Sequence, residues 1–369
     1  MIKKILVFVP NLAAGGAEKV AVNLSNALAN DNHKTYLMCI KRNFFNLKNL
    51  SKNLKLINLN KPSLFSSILS IIQFLFLNKN NLYVISFLNA PNLFFCLLKF
   101  IFRYKNIKIA ITIHNCISES YKNSNLKGKI IILLLSYFCR YADKIICVSN
   151  YVKKDFVDNW NQKHTNIITI YNPAINKHEI NTLSKKQNLF TEKYKTKNYK
   201  ILLAVGRLTK QKNYKLLIHA FLKVSKKINK VILVILGTGE QKDELVKLTK
   251  NKNISKKIFF LNFQKNPYHY IKNSDLIVLS SDWEGLPTIL IESLYLKKKI
   301  VSTNCKGGCA EVLKNGKYGY LTPMNNFNSL SEKIILALKS KKKKIDNKYL
   351  NNFVDNYVLK KYKSFIFEK

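Results

Sequence analysis

The sequence predicts an α/β fold made of two doubly wound domains facing a cleft. Three observations predict it. At ~150 residues per domain, 369 residues suggest about two domains. Short all-apolar runs, the mark of strands buried on both faces, alternate with stretches of helical spacing. The pattern also starts twice. Ile5–Val9 leads into Gly15-Gly16, and Ile201–Val205 leads into Gly206. Strand, glycine loop and helix open a Rossmann-like unit, whose ligands sit beyond the carboxyl ends of the strands.

In the first half, the Pro10–Glu18 loop is followed by Val20, Leu24, Ala27 and Leu28 at helical spacing. Tyr36–Ile40 reads as the second strand. Leu82–Phe87 is a strand, and Pro91–Tyr104 a helix with its proline in the first turn. Ile107–Ile113 is a strand ending at His114-Asn115. Lys129–Tyr141 is a helix and Lys144–Val148 a strand. Ser149 caps a helix to Asp158, and Ile167–Tyr171 closes the half at Asn172-Pro173. Asn176–Lys200 is polar and lysine-rich, which predicts a linker.

The alternation then resumes. Ile201–Val205 is a strand, Asn213–Lys227 a helix, and Val231–Leu236 a strand ending in Gly237-Thr238-Gly239. Asp243–Lys250 is a helix, and Ile258–Phe263 and Leu276–Leu279 are strands. Pro287–Tyr295 starts a helix, Ile300–Thr303 is a strand, and Ser331–Leu338 is helical. Tyr349–Phe365 carries Phe353, Val354, Tyr357 and Val358 at helical spacing. The predicted domains are residues 1–172 and 173–348, with a final helix over 349–369.

Composition excludes several classes. Apolar residues make up 47% and charged residues 22%, so neither a disordered chain nor a collagen-like fibre fits. The net charge of +43 is unusual, but only four of the 63 basic residues are arginine. Lysine, asparagine and isoleucine are what AT-rich codons encode, so the lysine excess reads first as genome composition. Nucleic-acid readers favour arginine for bidentate contacts. No nucleic-acid partner is expected, although such a surface attracts anionic lipid and diphosphates.

Seven cysteines, mostly in apolar runs, predict reduced buried thiols of a cytoplasmic protein. Cys305 and Cys309 lack a second pair for zinc. No segment reaches the ~18 apolar residues of a membrane span. Two readings stay open for Leu64–Leu77 and Leu93–Phe102, flanked by Lys61, Lys79, Lys99 and Arg103. They are core helices, or they dock peripherally on anionic membrane.

The strongest constellation is Ser281–Glu292, a loop running into a helix after a buried strand. Gly285 permits close backbone approach, and Pro287 suits the first helical turn. Backbone N–H groups at Leu286 and Thr288 would receive an anion such as a diphosphate. Glu284 and Glu292 are eight residues apart, and Glu292 would accept bonds from ribose hydroxyls or stand as a surface carboxylate. Arg207 and Lys212 bracket the loop that follows Gly206, and two cations beside a helix start suit a pyrophosphate. Gly15-Gly16-Ala17-Glu18 lacks the dinucleotide spacing, but its loop can still face an anion. His114 and Asn115 sit directly after a strand. Asp275 and Asp282 form no Asp-x-Asp pair, so no metal and no other cofactor is expected.

Together these residues resemble the retaining glycosyltransferases of family 4, with the GT-B fold. Glu284–Glu292 is similar to that family's pair of glutamates separated by seven residues. Asp275, Gly307-Gly308, Glu311, Gly316 and Gly319-Tyr320-Leu321 also fit, as do Gly15–Glu18 and Ile170–Pro173. Asn262 stands where relatives often have glycine.

The resemblance implies roles. Arg207 and Lys212 hold the donor diphosphate, Glu292 the ribose and Glu284 the donor sugar. His114 contacts the sugar near the reacting carbon, and Gly16 lies close to diphosphate or acceptor. Gly206, Gly285, Leu286, Pro287 and Thr288 join the donor side, and Gly15, Gly16 and Asn115 the acceptor side. The final helix crosses back to the first domain. A nucleotide sugar, UDP-linked by resemblance, donates a hexose or N-acetylhexosamine to a lipid-linked or lipopolysaccharide-type glycan at the cytoplasmic membrane face. A sugar-nucleotide epimerase of the same fold and a basic nucleic-acid-binding protein are the competing readings.

Overall fold

The structure, a computed structural model, describes residues 2–12, 15–41, 50–103, 106–160 and 166–367. Ala13 and Ala14 of the first glycine loop, and Tyr104 at the end of a predicted helix, lie outside the described residues. The chain forms two compact units. One is Met1–Pro173 with Phe353–Lys369, and the other is Ala174–Asn352.

The first unit holds a seven-stranded sheet of β1 (Lys4–Asn11), β2 (Lys34–Lys41), β3 (Lys55–Asn58), β4 (Leu82–Phe87), β5 (Ile107–Ile113), β6 (Lys144–Cys147) and β7 (Ile167–Thr169). Their order is β3-β2-β1-β4-β5-β6-β7, and every pairing is parallel. The register sets Ile5 against Thr35 and Tyr83. The all-apolar run of β1 follows from this, because a central parallel strand is covered on both faces. The second unit holds β8 (Lys200–Val205), β9 (Val231–Leu236), β10 (Ile258–Leu261), β11 (Leu276–Leu279), β12 (Lys299–Thr303) and β13 (Tyr320–Thr322). Their order is β10-β9-β8-β11-β12-β13, again all parallel.

Strand order fixes where the helices go. From β1 to β2 the chain steps one way across the sheet, and from β3 to β4, β4 to β5 and β5 to β6 it steps the other way. Right-handed crossovers then put the Gly16–Asn30 helix on one face, and the Ile68–Leu77, Asn89–Phe102 and Leu126–Phe138 helices on the other. The Asp355–Phe367 helix returns to the Gly16–Asn30 face. Its Val358, Leu359, Tyr362 and Ile366 join one core with Val7, Val20, Leu24 and Leu28.

One expectation fails. Asn176–Lys200 is no linker: it contains the helices Lys177–Ser184 and Leu189–Lys195. Asparagine starts both, since Asn176 Oδ1 accepts the Glu179 N–H and Asn188 Oδ1 the Thr191 N–H. Ile180 and Thr191 are buried, and Phe190 meets Phe259 edge-on at 5.3 Å. A high lysine content on the outer faces hid two sparse apolar stripes.

Leu88, between β4 and the Asn89–Phe102 helix, has φ 73° and ψ 156°, a region that glycine alone enters readily.

Candidate active site

In the second unit the candidate residues gather beyond the carboxyl ends of β8, β11 and β12. β9 lies on one side of β8 and β11 on the other, so the crossovers part there and leave a crevice. Three loops fill its rim: residues 206–213, 280–287 and 304–308. They are laced together. Gln211 Nε2 donates to the Trp283 carbonyl at 2.8 Å, and Asp282 N–H donates to the Gln211 carbonyl. Ser280 Oγ donates to the Lys212 carbonyl, and Thr303 Oγ1 to the Ser281 carbonyl. Glu284 N–H donates to the Lys306 carbonyl, and Gly308 N–H to the Gly285 carbonyl.

An ion pair stands at the centre. Lys212 Nζ donates to Glu284 Oε1 at 2.5 Å, and Ser281 Oγ donates to the same oxygen at 2.6 Å. Glu284 is 6% exposed and Glu292, on the Thr288–Tyr295 helix, 4%. A carboxylate so far from water needs such partners. Tyr214, fully withdrawn, donates to the Gly206 carbonyl at 3.2 Å. Burial, and then the Glu284 charge, push its phenol well above the usual range, so it stays a neutral donor.

Glycine makes this packing feasible. At Gly307, with φ 123°, a Cβ would fall 1.8 Å from the Glu284 carbonyl oxygen. At Gly206 a Cβ would press on the Lys212 stem at 3.1 Å. Arg207 is exposed directly beside this loop. Pro287 precedes the Thr288–Tyr295 helix, and Leu286 is buried. The first N–H groups of a helix have no intrahelical acceptor, so this end presents donors and a positive dipole. Cys305 in the third loop and Cys309 at the start of the helix after it, both buried, stand 3.4 Å apart, and their contact followed by burial pushes the Cys305 thiol up.

The acidic residues considered for a metal are occupied otherwise. Asp275 Oδ2 accepts the Ile201 N–H at the amino end of β8, the far end from the site. Asp282 Oδ1 accepts from Asn213 Nδ2 at 2.8 Å. Among the described residues no three His, Cys, Asp or Glu side chains gather as a metal set. Asn262 Oδ1 accepts from Lys242 Nζ.

In the first unit, His114 follows β5 and is 9% exposed. Its ring stacks on Phe87 at 5.0 Å, and Nε2 lies 3.0 Å from Thr112 Oγ1. Burial depresses its pKa to about 3, so the imidazole is neutral. Asn115 beside it is half-buried. Gly15 caps the Gly16–Asn30 helix, where a Cβ would strike the Glu18 carboxylate. At Gly16 a Cβ would meet nothing within 4 Å, so packing gives no reason for glycine there.

Sequence reasoning assigned no role to Ser281, Gln211 or Thr112. Ser281 stands three residues before Glu284. Thr112 stands two before His114, hence on the same side of the strand. Gln211 gave no signal, because its partner is a backbone carbonyl in a distant loop.

Known proteins resemble this chain in sequence and in fold. Residues 185–353 match the family described as "Glycosyl transferases group 1", and residues 14–174 match "Glycosyltransferase Family 4". An uncharacterized glycosyltransferase of Methanocaldococcus jannaschii is 36% identical over 233 residues, covering 59% of this chain and 56% of that protein. The chain thus spans little more than half the length of that relative. An N-acetylgalactosamine-N,N'-diacetylbacillosaminyl-diphospho-undecaprenol 4-alpha-N-acetylgalactosaminyltransferase of Campylobacter jejuni is 28% identical, covering 92% of this chain and 91% of that protein. Anabaena HepE, solved in complex with UDP-glucose, is alike in fold with a TM-score of 0.76 and 16% identity, covering 98% of this chain and 95% of that one. The two parallel sheets, the loop site at their strand ends and these matches agree: the chain is a glycosyltransferase of GT-B fold and belongs to group 1, family 4.

Proposed function

We propose that the chain is a retaining, metal-independent transferase. It moves a hexose or N-acetylhexosamine from a UDP-sugar to a lipid-linked or lipopolysaccharide-type glycan at the cytoplasmic face of a membrane. The observation that carries this reading is the Lys212–Glu284 pair beside Arg207 and a helix N-terminus, at the sheet's switch point.

The chemistry follows from charge. As the bond from the anomeric carbon to the phosphate oxygen breaks, its electron pair goes to the diphosphate. Arg207, Lys212 and the amino end of the Thr288–Tyr295 helix hold that growing negative charge. Glu284 takes a hydroxyl of the donor sugar, and Glu292 the ribose. The acceptor oxygen then bonds the anomeric carbon on the same face, and its proton leaves to the departing phosphate oxygen. Two cations and a helix dipole do the work that a divalent metal does elsewhere. UDP as carrier draws on the UDP-glucose bound by HepE, and a lipid-linked acceptor on the Campylobacter relative.

A peripheral membrane contact fits the first unit. Among the described residues no helix is long and apolar enough to cross a membrane. Three helices on one sheet face nevertheless expose large apolar side chains: Leu69 and Phe76, Ile101 and Phe102, and Leu133 and Tyr137. Lys79 and Arg140 stand among them.

Thermal unfolding with UDP-, GDP-, ADP- and CMP-sugars, each with and without EDTA, tests the reading. A ligand at a hundred times its dissociation constant adds about 2.7 kcal/mol of stability. The expected result is a raised midpoint with one UDP-sugar, unchanged by EDTA. A shift that EDTA abolishes would sink metal independence. No shift at all, with salt-dependent binding to random DNA, would sink the donor site.

A further inference from the structure

His114 is joined to the fold through a short chain of hydrogen bonds whose directions are fixed by chemistry. Thr112 Oγ1 lies 2.7 Å from the Ser86 carbonyl oxygen. A carbonyl only accepts, so the single hydroxyl proton of Thr112 points at Ser86. Toward His114 Nε2, 3.0 Å away, the same oxygen has only lone pairs left. The Nε2 nitrogen must therefore carry the proton. Thr112 is 0% exposed, and Asn92 Nδ2 donates to its backbone carbonyl at 2.9 Å, so the residue is held at both ends. Phe87 stacks on the imidazole and fixes the ring plane.

We propose that Thr112 is a positioning residue that locks His114 as the Nε2–H tautomer, presenting Nδ1 as a lone-pair acceptor for a sugar hydroxyl. The acceptor role rests on the glycosyl-transfer reading, whereas the lock does not. A neutral imidazole has one proton, and giving it to Nε2 decides what the other nitrogen can do. A hydroxyl that donates to Nδ1 is favoured. A carbonyl or phosphate oxygen there has no hydrogen to meet. The pair thus selects a hydroxyl over an oxyanion at this point.

The test is imidazole nitrogen NMR on the full chain labelled at histidine, with His114 assigned by the signal lost in His114→Gln. The expected spectrum has a protonated Nε2 and a bare Nδ1. Thr112→Val removes the hydroxyl and should leave a mixture of tautomers, while Thr112→Ser keeps the lock. A proton on Nδ1 in the parent protein, or an unchanged tautomer in Thr112→Val, overturns the lock. Adding the nucleotide sugar that raises the melting midpoint should move the Nδ1 resonance. Turnover should fall at least ~10-fold in Thr112→Val and recover in Thr112→Ser, by analogy with the loss of a group that orients a metal-ligating histidine. A stabilising sugar that leaves Nδ1 unmoved overturns the acceptor role. If no sugar stabilises the chain, the glycosyl-transfer reading fails and takes the acceptor role with it, while the tautomer data still decide the lock.

Discussion

Burying one charge costs far more than burying a matched pair, and Lys212 and Glu284 show the consequence. Removing either partner strands the other. Lys212→Ala should therefore lower stability by about 3–5 kcal/mol as well as turnover. Arg207 is exposed and its removal should leave stability nearly unchanged. Both substitutions should lower turnover by at least ~10²-fold, the loss of one oxyanion donor. Melting curves beside initial rates separate the two, and near-normal turnover in both would remove the diphosphate assignment. His114 carries a pH prediction. Its pKa is about 3 in the folded chain against 6.5 unfolded, so below 6.5 the unfolded chain binds more protons. Stability should fall with acid, by about 1.4 kcal/mol per pH unit from this residue. His114→Gln should flatten that slope in denaturant titrations between pH 6 and 4.

At the scale of elements, the Asp355–Phe367 helix is part of the first unit's core rather than an appendage. Tyr362 is 0% exposed, and its hydroxyl finds no partner among the described residues. Tyr362→Ala should cost about 3–5 kcal/mol. Tyr362→Phe, which removes only the unpaired hydroxyl, should be neutral or stabilising by ~1 kcal/mol. Calorimetry should assign both changes to the transition of the first unit alone. The elements most legible in the sequence were the buried strands. β4, β5, β9 and β11 run as expected, because strands covered on both faces are apolar over most of their length, with Ser86 in β4 and Lys108 and Thr112 in β5 as the polar exceptions. Short or half-covered elements were not legible. β3 has half-buried Leu56 and Ile57 between exposed ends, too little for a periodicity. The helices between Asn176 and Lys200 were masked by lysine. The site was legible wherever a loop motif is contiguous, as at Gly285–Thr288. It was illegible wherever two loops meet, as at Gln211 and Trp283, since nothing in one segment names its partner.

At the scale of the whole molecule, the proposed membrane contact draws on charge and exposed apolar surface together. A lysine near an anionic surface contributes about 1 kcal/mol, and an exposed Leu or Phe that becomes buried about 1.5–3 kcal/mol. Either alone gives marginal attachment, as a single acyl chain does, whereas both together give a stable one. Flotation with anionic liposomes should carry the chain upward at low salt. Leu69→Glu combined with Ile101→Glu should abolish this. So should 1 M salt, where the Debye length shrinks to about 3 Å. Flotation that neither change affects would count against this surface.

The return of residues 353–369 to the first unit also sets an order of birth. A ribosome makes the second unit in one uninterrupted stretch, so its core can close while the chain is still being extended. The first unit emerges earlier yet waits, because Val358, Leu359, Tyr362 and Ile366 complete its core and are made only after the second unit. The unit begun before the other is thus finished after it, and until then the apolar face of its Gly16–Asn30 helix stays uncovered. Nascent chains stalled just before residue 353 should accordingly be sought by chaperones that bind exposed hydrophobic surface.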